Sequence, residues 1–183
     1  MRAMDYFKID YYRMTGMPFE YSLKCLLYLL VSHQIRYMFW WRQYNHKHGF
    51  LAKYKLYRYG RKYGLEISRE ARIGAGLYLG HPYNITVGSD VVMGDNVNLH
   101  KGCTIGRENR GKRVGSPQLG NNVYVGVNAT IVGNIRIGNN VLIAPNSFVN
   151  FDVPDNTVVI GNPGTIHSSE QAVESYVGFR YER

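Results

Sequence analysis

One periodic feature limits the possible folds of this chain more than any other. Over its second part, a branched or large apolar residue recurs every six positions: Ile67, Ile73, Leu79, Val87, Met93, Leu99, Ile105, Leu119, Val125, Ile131, Ile137, Ile143 and Val149. A helix repeats about every 3.6 residues and a strand every two, so neither alone explains a period of six. A β-solenoid explains it, because each hexad then forms a short strand and a corner, with the apolar side chains stacked inward.

Two interruptions of the six-residue period mark segments that leave the regular coil. The first stretches the spacing after Leu79 to eight residues, so two residues bulge out near His81. The second stretches the spacing after Ile105 to fourteen, so eight extra residues leave the solenoid within 107–117. Loops that leave a rigid scaffold often carry binding groups. This second excursion is strongly basic, with Arg107, Arg110, Lys112 and Arg113.

The first third of the chain differs from the rest in charge and composition. Residues 1–64 hold 12 Lys/Arg against 3 Asp/Glu, together with 11 of the 16 tyrosines, whereas the remaining residues hold ten basic and ten acidic side chains. Pro18 suits the first turn of a helix that continues to Val31, and a second helix is expected from about Phe50 to Tyr63. We therefore expect a basic, aromatic-rich helical segment over 1–64, a β-helix domain over 65–166 and a C-terminal tail over 167–183.

Compartment and partners follow from what the sequence contains and lacks. No segment has the pattern of a secretory signal, and the most apolar stretch, 25–31, is far shorter than the ~20 residues of a spanning helix. Cys25 and Cys103 lie far apart in unlike contexts, which favours a reducing environment. We expect a cytoplasmic protein whose residues 1–64 contact the inner face of a membrane; a nucleic acid is the alternative anionic partner.

The motifs of the repeat region resemble those of a known family. They lie at 65–81, 85–88, 97–106 and 161–163, and read LEISREARIGAGLYLGH, ITVG, VNLHKGCTIG and GNP. Over about residues 60–166 the chain resembles the serine acetyltransferase group of hexapeptide-repeat acetyltransferases, and is similar in character to polysaccharide O-acetyltransferases. The resemblance implies a mostly β protein, a left-handed parallel β-helix of hexapeptide repeats with a short α-helical N-terminal segment, assembled as a homotrimer.

The resemblance also implies a reaction and a catalytic pair. Acetyl-CoA would be the co-substrate, His81 the general base and Glu66 the carboxylate that orients it. An imidazole, with an unperturbed pKa of about 6.5, suits proton transfer near neutrality. A carboxylate on its other nitrogen would fix the tautomer and stabilise the imidazolium. The sequence therefore predicts an acyltransferase that works without a metal.

Two departures from the family pattern bear on the acceptor. Gly80 stands where serine acetyltransferases carry an aspartate before the histidine, and Ser116 stands where they carry a second active-site histidine. From these departures we expect acetyl transfer to a sugar hydroxyl in capsular or exopolysaccharide biosynthesis. The residues expected around the acceptor are His100, Lys101, Tyr83, Asn84 and Ser116.

The expected cofactor contacts lie on the later coils and involve mostly backbone amides. By resemblance, the positions are Gly126, Asn128, Ala129, Asn146, Ser147, Gly161 and Asn162. The basic side chains of the excursion, Arg110, Lys112 and Arg113, are expected to hold the nucleotide phosphates or an acidic acceptor. No metal is expected, because the zinc site of gamma-class carbonic anhydrases needs a histidine pair five residues apart, which neither His81 nor His100 provides.

Two alternative functions remain open at this point. The first is serine O-acetylation for cysteine biosynthesis. The second, from another class, is a non-catalytic trimeric scaffold or nucleic-acid binder, since aromatic side chains interleaved with Lys and Arg also describe single-strand binders. The helical spacing of the apolar residues argues against the nucleic-acid reading, because many of the aromatic side chains are then needed for packing. Affinity for acetyl-CoA separates the enzymatic readings from the scaffold.

Overall fold

The computed structural model describes residues 1–182 and confirms the mostly β architecture that the hexads predict. Three sheets form the faces of a left-handed β-helix. Face A consists of β1 (Leu65–Ile67), β4 (Ile85–Val87), β7 (Thr104–Gly106), β10 (Thr130–Val132) and β13 (Phe148–Val149). Face B consists of β2 (Arg72–Ile73), β5 (Val92–Met93), β8 (Gln118–Leu119) and β11 (Arg136–Ile137). Face C consists of β3 (Tyr78–Gly80), β6 (Asn98–His100), β9 (Val123–Val125), β12 (Val141–Ile143), β14 (Thr157–Ile160) and β15 (Thr165–Ser168).

The register between coils follows from the hexads and their interruptions. Leu79 on β3 lies opposite Leu99 on β6, a step of one coil that includes the two-residue bulge. Leu99 in turn lies opposite Val125 on β9, a step that includes the longer excursion. Every residue of the hexad series is buried, and together they form one continuous core along the solenoid axis. The predicted inward stacking is therefore confirmed.

Asparagine side chains connect successive coils at the corner between faces B and C. The residues Asn96, Asn122, Asn140 and Asn156 all have a positive φ, between 53° and 57°. Asparagine adopts this left-handed conformation more readily than most residues. The amide nitrogens of the first three donate to the amide oxygen of the next asparagine, at 3.1, 3.0 and 3.1 Å, and that of Asn156 donates to Glu170. The ladder thus turns the chain and satisfies the side-chain amides that the stacking shields from water.

Four helices precede the solenoid: α1 (Ala3–Thr15), α2 (Leu23–Val31), α3 (His33–Lys47) and α4 (Phe50–Tyr63). The predicted helix at 50–63 coincides with α4, which ends at Gly64 with a φ of 65°. The expectation that Pro18 begins a helix is wrong. Gly16, with a φ of 70°, ends α1, and the Ser22 hydroxyl accepts a hydrogen bond from the Cys25 amide at the start of α2. Pro18 lies in the connection, and no helix within residues 1–182 is long and apolar enough to span a membrane.

A buried ion pair anchors the helices to the first coil. Asp10 of α1 accepts hydrogen bonds from two nitrogens of Arg42 on α3, at 2.7 and 3.0 Å. Arg42 also donates to the carbonyls of Ile73 and Gly74, at 2.8 and 2.6 Å. The Leu77 amide donates to Asp10 at 2.9 Å. Three segments that are distant in sequence therefore share one polar network that is shielded from solvent.

The C-terminal segment covers the outer side of face C. After β14 the chain reverses into the antiparallel strand β15. Ala172, Val173 and Val177 then pack against Leu142. Further along, the backbone of Tyr181 exchanges two hydrogen bonds, both 2.8 Å, with the side chain of Asn96. This segment therefore occupies a surface of the solenoid that would otherwise be open to a ligand or another protein.

Candidate active site

The corner between faces C and A, called the C–A corner below, carries the predicted general base and the predicted cofactor positions on one edge. His81 directly follows β3 on the first coil. On the second coil the Lys101 amide donates to the Gly80 carbonyl at 3.1 Å. Asn128 and Asn146 continue this ladder on the third and fourth coils, through backbone hydrogen bonds of 3.0 and 2.9 Å to the preceding coil. Residues far apart in sequence thus lie in a column along one edge.

The remaining predicted cofactor residues lie on the same edge, but not all of them present a side chain. Ser147 is buried, and its hydroxyl accepts from the Gly161 amide at 3.0 Å and donates to a carbonyl of β14 at 3.4 Å. Ala129 is also buried, whereas Asn128 and Asn162 are exposed. A ligand along this edge would therefore meet asparagine side chains and backbone groups rather than the side chains of Ser147 and Ala129.

His81 stands in the two-residue bulge that the stretched hexad predicts. Its φ of 47° lies in the left-handed region, which is uncommon for residues other than glycine and asparagine. The His81 carbonyl accepts a hydrogen bond from the Tyr83 amide at 2.8 Å, and the Tyr83 carbonyl accepts one from the Gly102 amide at 2.9 Å. These backbone contacts hold the turn and leave the exposed imidazole free to contact a substrate.

An aromatic cluster from the helices supports the bulge from behind. The His33 ring, at the start of α3, stacks on Tyr63 with centroids 4.3 Å apart and lies 5.3 Å from Tyr83. His33 also hydrogen-bonds to the Pro82 carbonyl, and burial lowers the pKa of its imidazole. The helical segment therefore contacts the turn that presents His81. His33 could not be found from the sequence, since no local motif links a histidine at 33 to a bulge at 81.

A second histidine lies beside His81 on the neighbouring coil. His100 packs between aromatic rings, 4.6 Å from Tyr124 and 6.0 Å from Tyr78 between centroids. Its Nε2 atom is buried and has no hydrogen-bond partner. Burial, and then the nearby His81, lower the pKa of His100, so this imidazole is neutral at neutral pH. Within residues 1–182, no three His, Cys, Asp or Glu side chains are grouped so as to hold a metal ion.

The His100 ring explains why glycine precedes His81 in this chain. A methyl group at position 80 would lie 2.4 Å from both Cε1 and Nδ1 of His100, far inside van der Waals contact. The His100 imidazole thus fills the space that any side chain at position 80 would need. The polar His100 ring from the next coil therefore lies where the family that the sequence resembles has the carboxylate of an aspartate at position 80.

This overlap predicts strong coupling between positions 80 and 100. Gly80→Ala is expected to lower the free energy of unfolding by about 1–3 kcal/mol, the usual range for overpacking a filled site. Adding His100→Ala should relieve the strain, so that the two effects differ from additivity by about 1 kcal/mol or more in urea denaturation. Gly106→Ala is the matched control, because Gly106 also follows a hexad residue but a methyl group there meets nothing within 4 Å. Equal stability of Gly80→Ala and Gly106→Ala would contradict the overlap.

Glu66, the predicted orienting carboxylate, lies on face A and is exposed. It pairs in register with Thr86 on the next coil. No hydrogen bond or ion pair joins Glu66 to His81 within the part of the chain that the structure describes. Its orienting role therefore stays a prediction.

The basic excursion lies at a different corner from His81. It leaves the solenoid between β7 and β8, at the corner between faces A and B, and contains a short 3-10 helix (Gly111–Arg113). Glu108 and Gly115 close its base with two backbone hydrogen bonds of 2.9 and 3.0 Å. The Arg113 carbonyl accepts a hydrogen bond from the Asn134 amide at 2.9 Å, and the Arg113 side chain forms an ion pair with Asp152 at 3.5 Å. Within one chain, the excursion residues Arg110, Lys112, Arg113 and Ser116 thus do not join the C–A corner.

Comparison with known proteins identifies the relatives of this chain. The family model of the bacterial transferase hexapeptide (six repeats) matches residues 116–150. A serine acetyltransferase of Staphylococcus epidermidis is 38% identical over 107 residues, which cover 58% of this chain and 50% of the relative. The crystal structure of a serine O-acetyltransferase from Brucella melitensis superposes with a TM-score of 0.71 at 30% identity, covering 91% of this chain and 69% of that chain. A serine acetyltransferase from Brucella abortus strain S19, in complex with coenzyme A, gives a TM-score of 0.69 at 28% identity, with 91% and 66% covered.

The β-helix built from hexads and the match to the hexapeptide family model together place the chain in the class of the hexapeptide-repeat transferases. Within that class, the chain belongs to the serine acetyltransferase family, because it covers more than two thirds of the Brucella melitensis structure at 30% identity. The chain spans about half the length of the curated relatives that it matches.

The expectation of a polysaccharide acceptor is wrong. Serine acetyltransferases of Staphylococcus epidermidis and Brucella melitensis are relatives of this chain, at 38% and 30% identity. The polysaccharide expectation depended on the absence of an aspartate at position 80. His100 occupies that space with another polar group. The absence of the carboxylate therefore does not by itself indicate a different class of acceptor.

Proposed function

We propose that this protein is an acetyl-CoA-dependent O-acetyltransferase that acetylates the hydroxyl group of serine. The observation that carries the proposal is the C–A corner, where an exposed His81 lies beside the half-buried His100 in a chain of the serine acetyltransferase family. The family relatives are named for this reaction, and one of their structures holds coenzyme A.

In the proposed reaction, His81 accepts the proton of the serine hydroxyl as its oxygen attacks the thioester carbonyl. The new C–O bond forms, the C–S bond breaks, and the proton passes from the imidazolium to the departing thiolate of coenzyme A. Glu66 is proposed to stabilise the imidazolium. His100, which lies on the neighbouring coil beside His81, is proposed to contact the acceptor next to the attacking oxygen.

Acetyl-CoA is proposed to lie along the C–A corner, across the later coils. The exposed amides of Asn128, Asn146 and Asn162 would face it, together with backbone groups near Gly126 and Gly161. The column of backbone hydrogen bonds between coils keeps these groups in a fixed line, and such pre-organisation lowers the entropy that binding must overcome.

A trimer is proposed because the predicted residues are divided between two corners of the solenoid. The basic excursion lies at the corner between faces A and B, whereas His81 lies at the C–A corner. Packing three copies side by side would place the excursion of one copy next to the C–A corner of its neighbour. Arg110, Lys112 and Arg113 would then supply positive charge for the phosphates of acetyl-CoA, or for the carboxylate of serine.

The test is thiol release from acetyl-CoA by the full-length protein, with serine as acceptor and with threonine, homoserine and glycerol in parallel. Serine-dependent release, with O-acetylserine identified by mass spectrometry, is the expected result. Release with another hydroxylated compound but not with serine would overturn the choice of acceptor and leave the acetyltransferase. Failure to bind acetyl-CoA in calorimetry would overturn the enzymatic assignment itself.

A further inference from the structure

Helix α2 carries an apolar surface that the rest of the chain leaves uncovered. Five side chains with helical spacing lie on its outer side and are between 51% and 81% exposed: Leu23, Leu26, Leu27, Leu30 and Val31. Cys25 is the one buried residue of the helix within the described part of the chain. Soluble proteins seldom expose a contiguous aliphatic face of this kind without a partner. We call these five side chains the α2 surface.

Positive charge adjoins the α2 surface, and the nearest acidic residue in the sequence, Glu20, lies before the start of the helix. Residues 22–64, which contain α2, α3 and α4, hold nine Lys/Arg and no Asp/Glu. Arg36 donates to the carbonyls of Leu29 and Leu30 at the end of α2, and its Nε donates to the Tyr59 hydroxyl at 2.9 Å. Arg36 lines a surface depression together with three other basic side chains and three tyrosines. We call the four basic side chains the basic cluster: Arg36, Lys55, Arg58 and Lys62.

We propose that the α2 surface and the adjoining basic cluster form a docking site for an anionic lipid bilayer. Aliphatic side chains at the positions i, i+3, i+4, i+7 and i+8 can insert among acyl chains, while Lys and Arg beside them contact phosphate headgroups. The helix has 9 residues, so it lies in the interface and does not cross the bilayer. The tyrosines beside the basic cluster suit the membrane interface, because the ring of a tyrosine can contact apolar groups while its hydroxyl contacts water.

Charge decides against the other occupants of this surface. A second copy docking through the same face would bring two basic clusters together without any acidic side chain from 22–64 to offset them. A nucleic acid would match the charge, but it offers nothing for Leu23, Leu26 and Leu30, since bases stack on aromatic rings rather than on aliphatic chains. An anionic membrane matches both the charge and the aliphatic face.

The test is co-sedimentation of the full-length protein with vesicles of phosphatidylcholine, alone or mixed with phosphatidylglycerol, at low and high salt. We expect binding to the anionic vesicles to be about tenfold tighter or more at low salt, and to weaken as salt screens the headgroups. Leu26→Gln combined with Leu30→Gln should reduce this binding by about tenfold or more, since two inserted side chains are lost. Lys55→Gln with Arg58→Gln should reduce mainly the salt-sensitive part.

The matched control changes two exposed apolar side chains elsewhere, Val114→Gln with Ile166→Gln, and should bind vesicles as the wild type does. Circular dichroism checks that each variant is folded. Absence of binding to anionic vesicles at low salt would overturn the proposal, as would equal losses in the α2 variant and the control. If the α2 variant instead changes the mass in light scattering and leaves vesicle binding intact, the surface is a contact between copies and the proposal is wrong. The vesicle measurement needs no acceptor and no acetyl-CoA, so it succeeds or fails separately from the proposed reaction.

Discussion

Replacing His81 with alanine is expected to lower kcat for serine-dependent thiol release by about 10²- to 10⁴-fold, the usual contribution of a general base. The fold should survive this change, because the imidazole is exposed and the turn is held by backbone hydrogen bonds of His81 and Tyr83. The Kd for acetyl-CoA in calorimetry and the urea midpoint should therefore remain close to the wild-type values. A loss of kcat without a loss of binding would assign His81 to proton transfer rather than to holding the cofactor.

A matched control separates this effect from the general loss of a histidine. His167 is exposed on β15, where it pairs in register with Val158, and has no proposed part in the reaction. The variant His167→Ala should keep kcat within about twofold, since an exposed side chain away from special contacts has little effect. If His81→Ala kept more than a tenth of the wild-type kcat, His81 would not be the base, and His100 would become the next residue to replace.

The solenoid could be predicted from the sequence because its six-residue repeat lies in neighbouring residues and does not depend on distant contacts. A buried residue every six positions fixes which side chains point inward, and an eight-residue gap after Leu79 fixes where the chain must bulge. The approach of His100 to His81 could be predicted in the same way. Leu79 pairs with Leu99, which follows it by one coil of three hexads plus the two-residue bulge, so His100 lies near His81. The clash of the His100 ring with a side chain at position 80 could not be predicted, because it depends on a rotamer.

The N-terminal helices were less predictable, because their packing depends on contacts that are distant in sequence. The helical character of 1–64 was predicted, but the bounds of α1 were not, since Asp10 and Arg13 fall within it and interrupt the apolar pattern that marks an amphipathic helix. Both charges are buried in the structure, and the partner of Asp10 lies on α3. The apolar spacing after Phe19 predicts a helix, and α2 confirms it, but its apolar face is exposed. Periodicity identifies an apolar face, but not what covers it.

The largest stability effect is expected at the buried pair of Asp10 and Arg42. Removing one partner, as in Asp10→Ala, leaves a guanidinium that is 5% exposed without its carboxylate, and the Leu77 amide without its acceptor. Such a change typically lowers the free energy of unfolding by about 3–5 kcal/mol. Urea denaturation at a fixed protein concentration measures the loss, and near-ultraviolet circular dichroism reports whether the aromatic helices leave the solenoid first.

A comparison of single and double variants shows whether this loss comes from the interaction between Asp10 and Arg42. In Asp10→Leu with Arg42→Met both charges are gone, so no charge remains buried alone, and the double variant should lose much less than the sum of the single losses. Asp90→Ala is the exposed control: its ion pair with Arg107 spans 3.5 Å in solvent and contributes about 1 kcal/mol or less. If Asp10→Ala cost no more than Asp90→Ala, the helices would be held to the solenoid by apolar packing alone. A large, coupled loss would instead show that this ion pair fixes the position of α3, and with it the His33 ring behind the turn that presents His81.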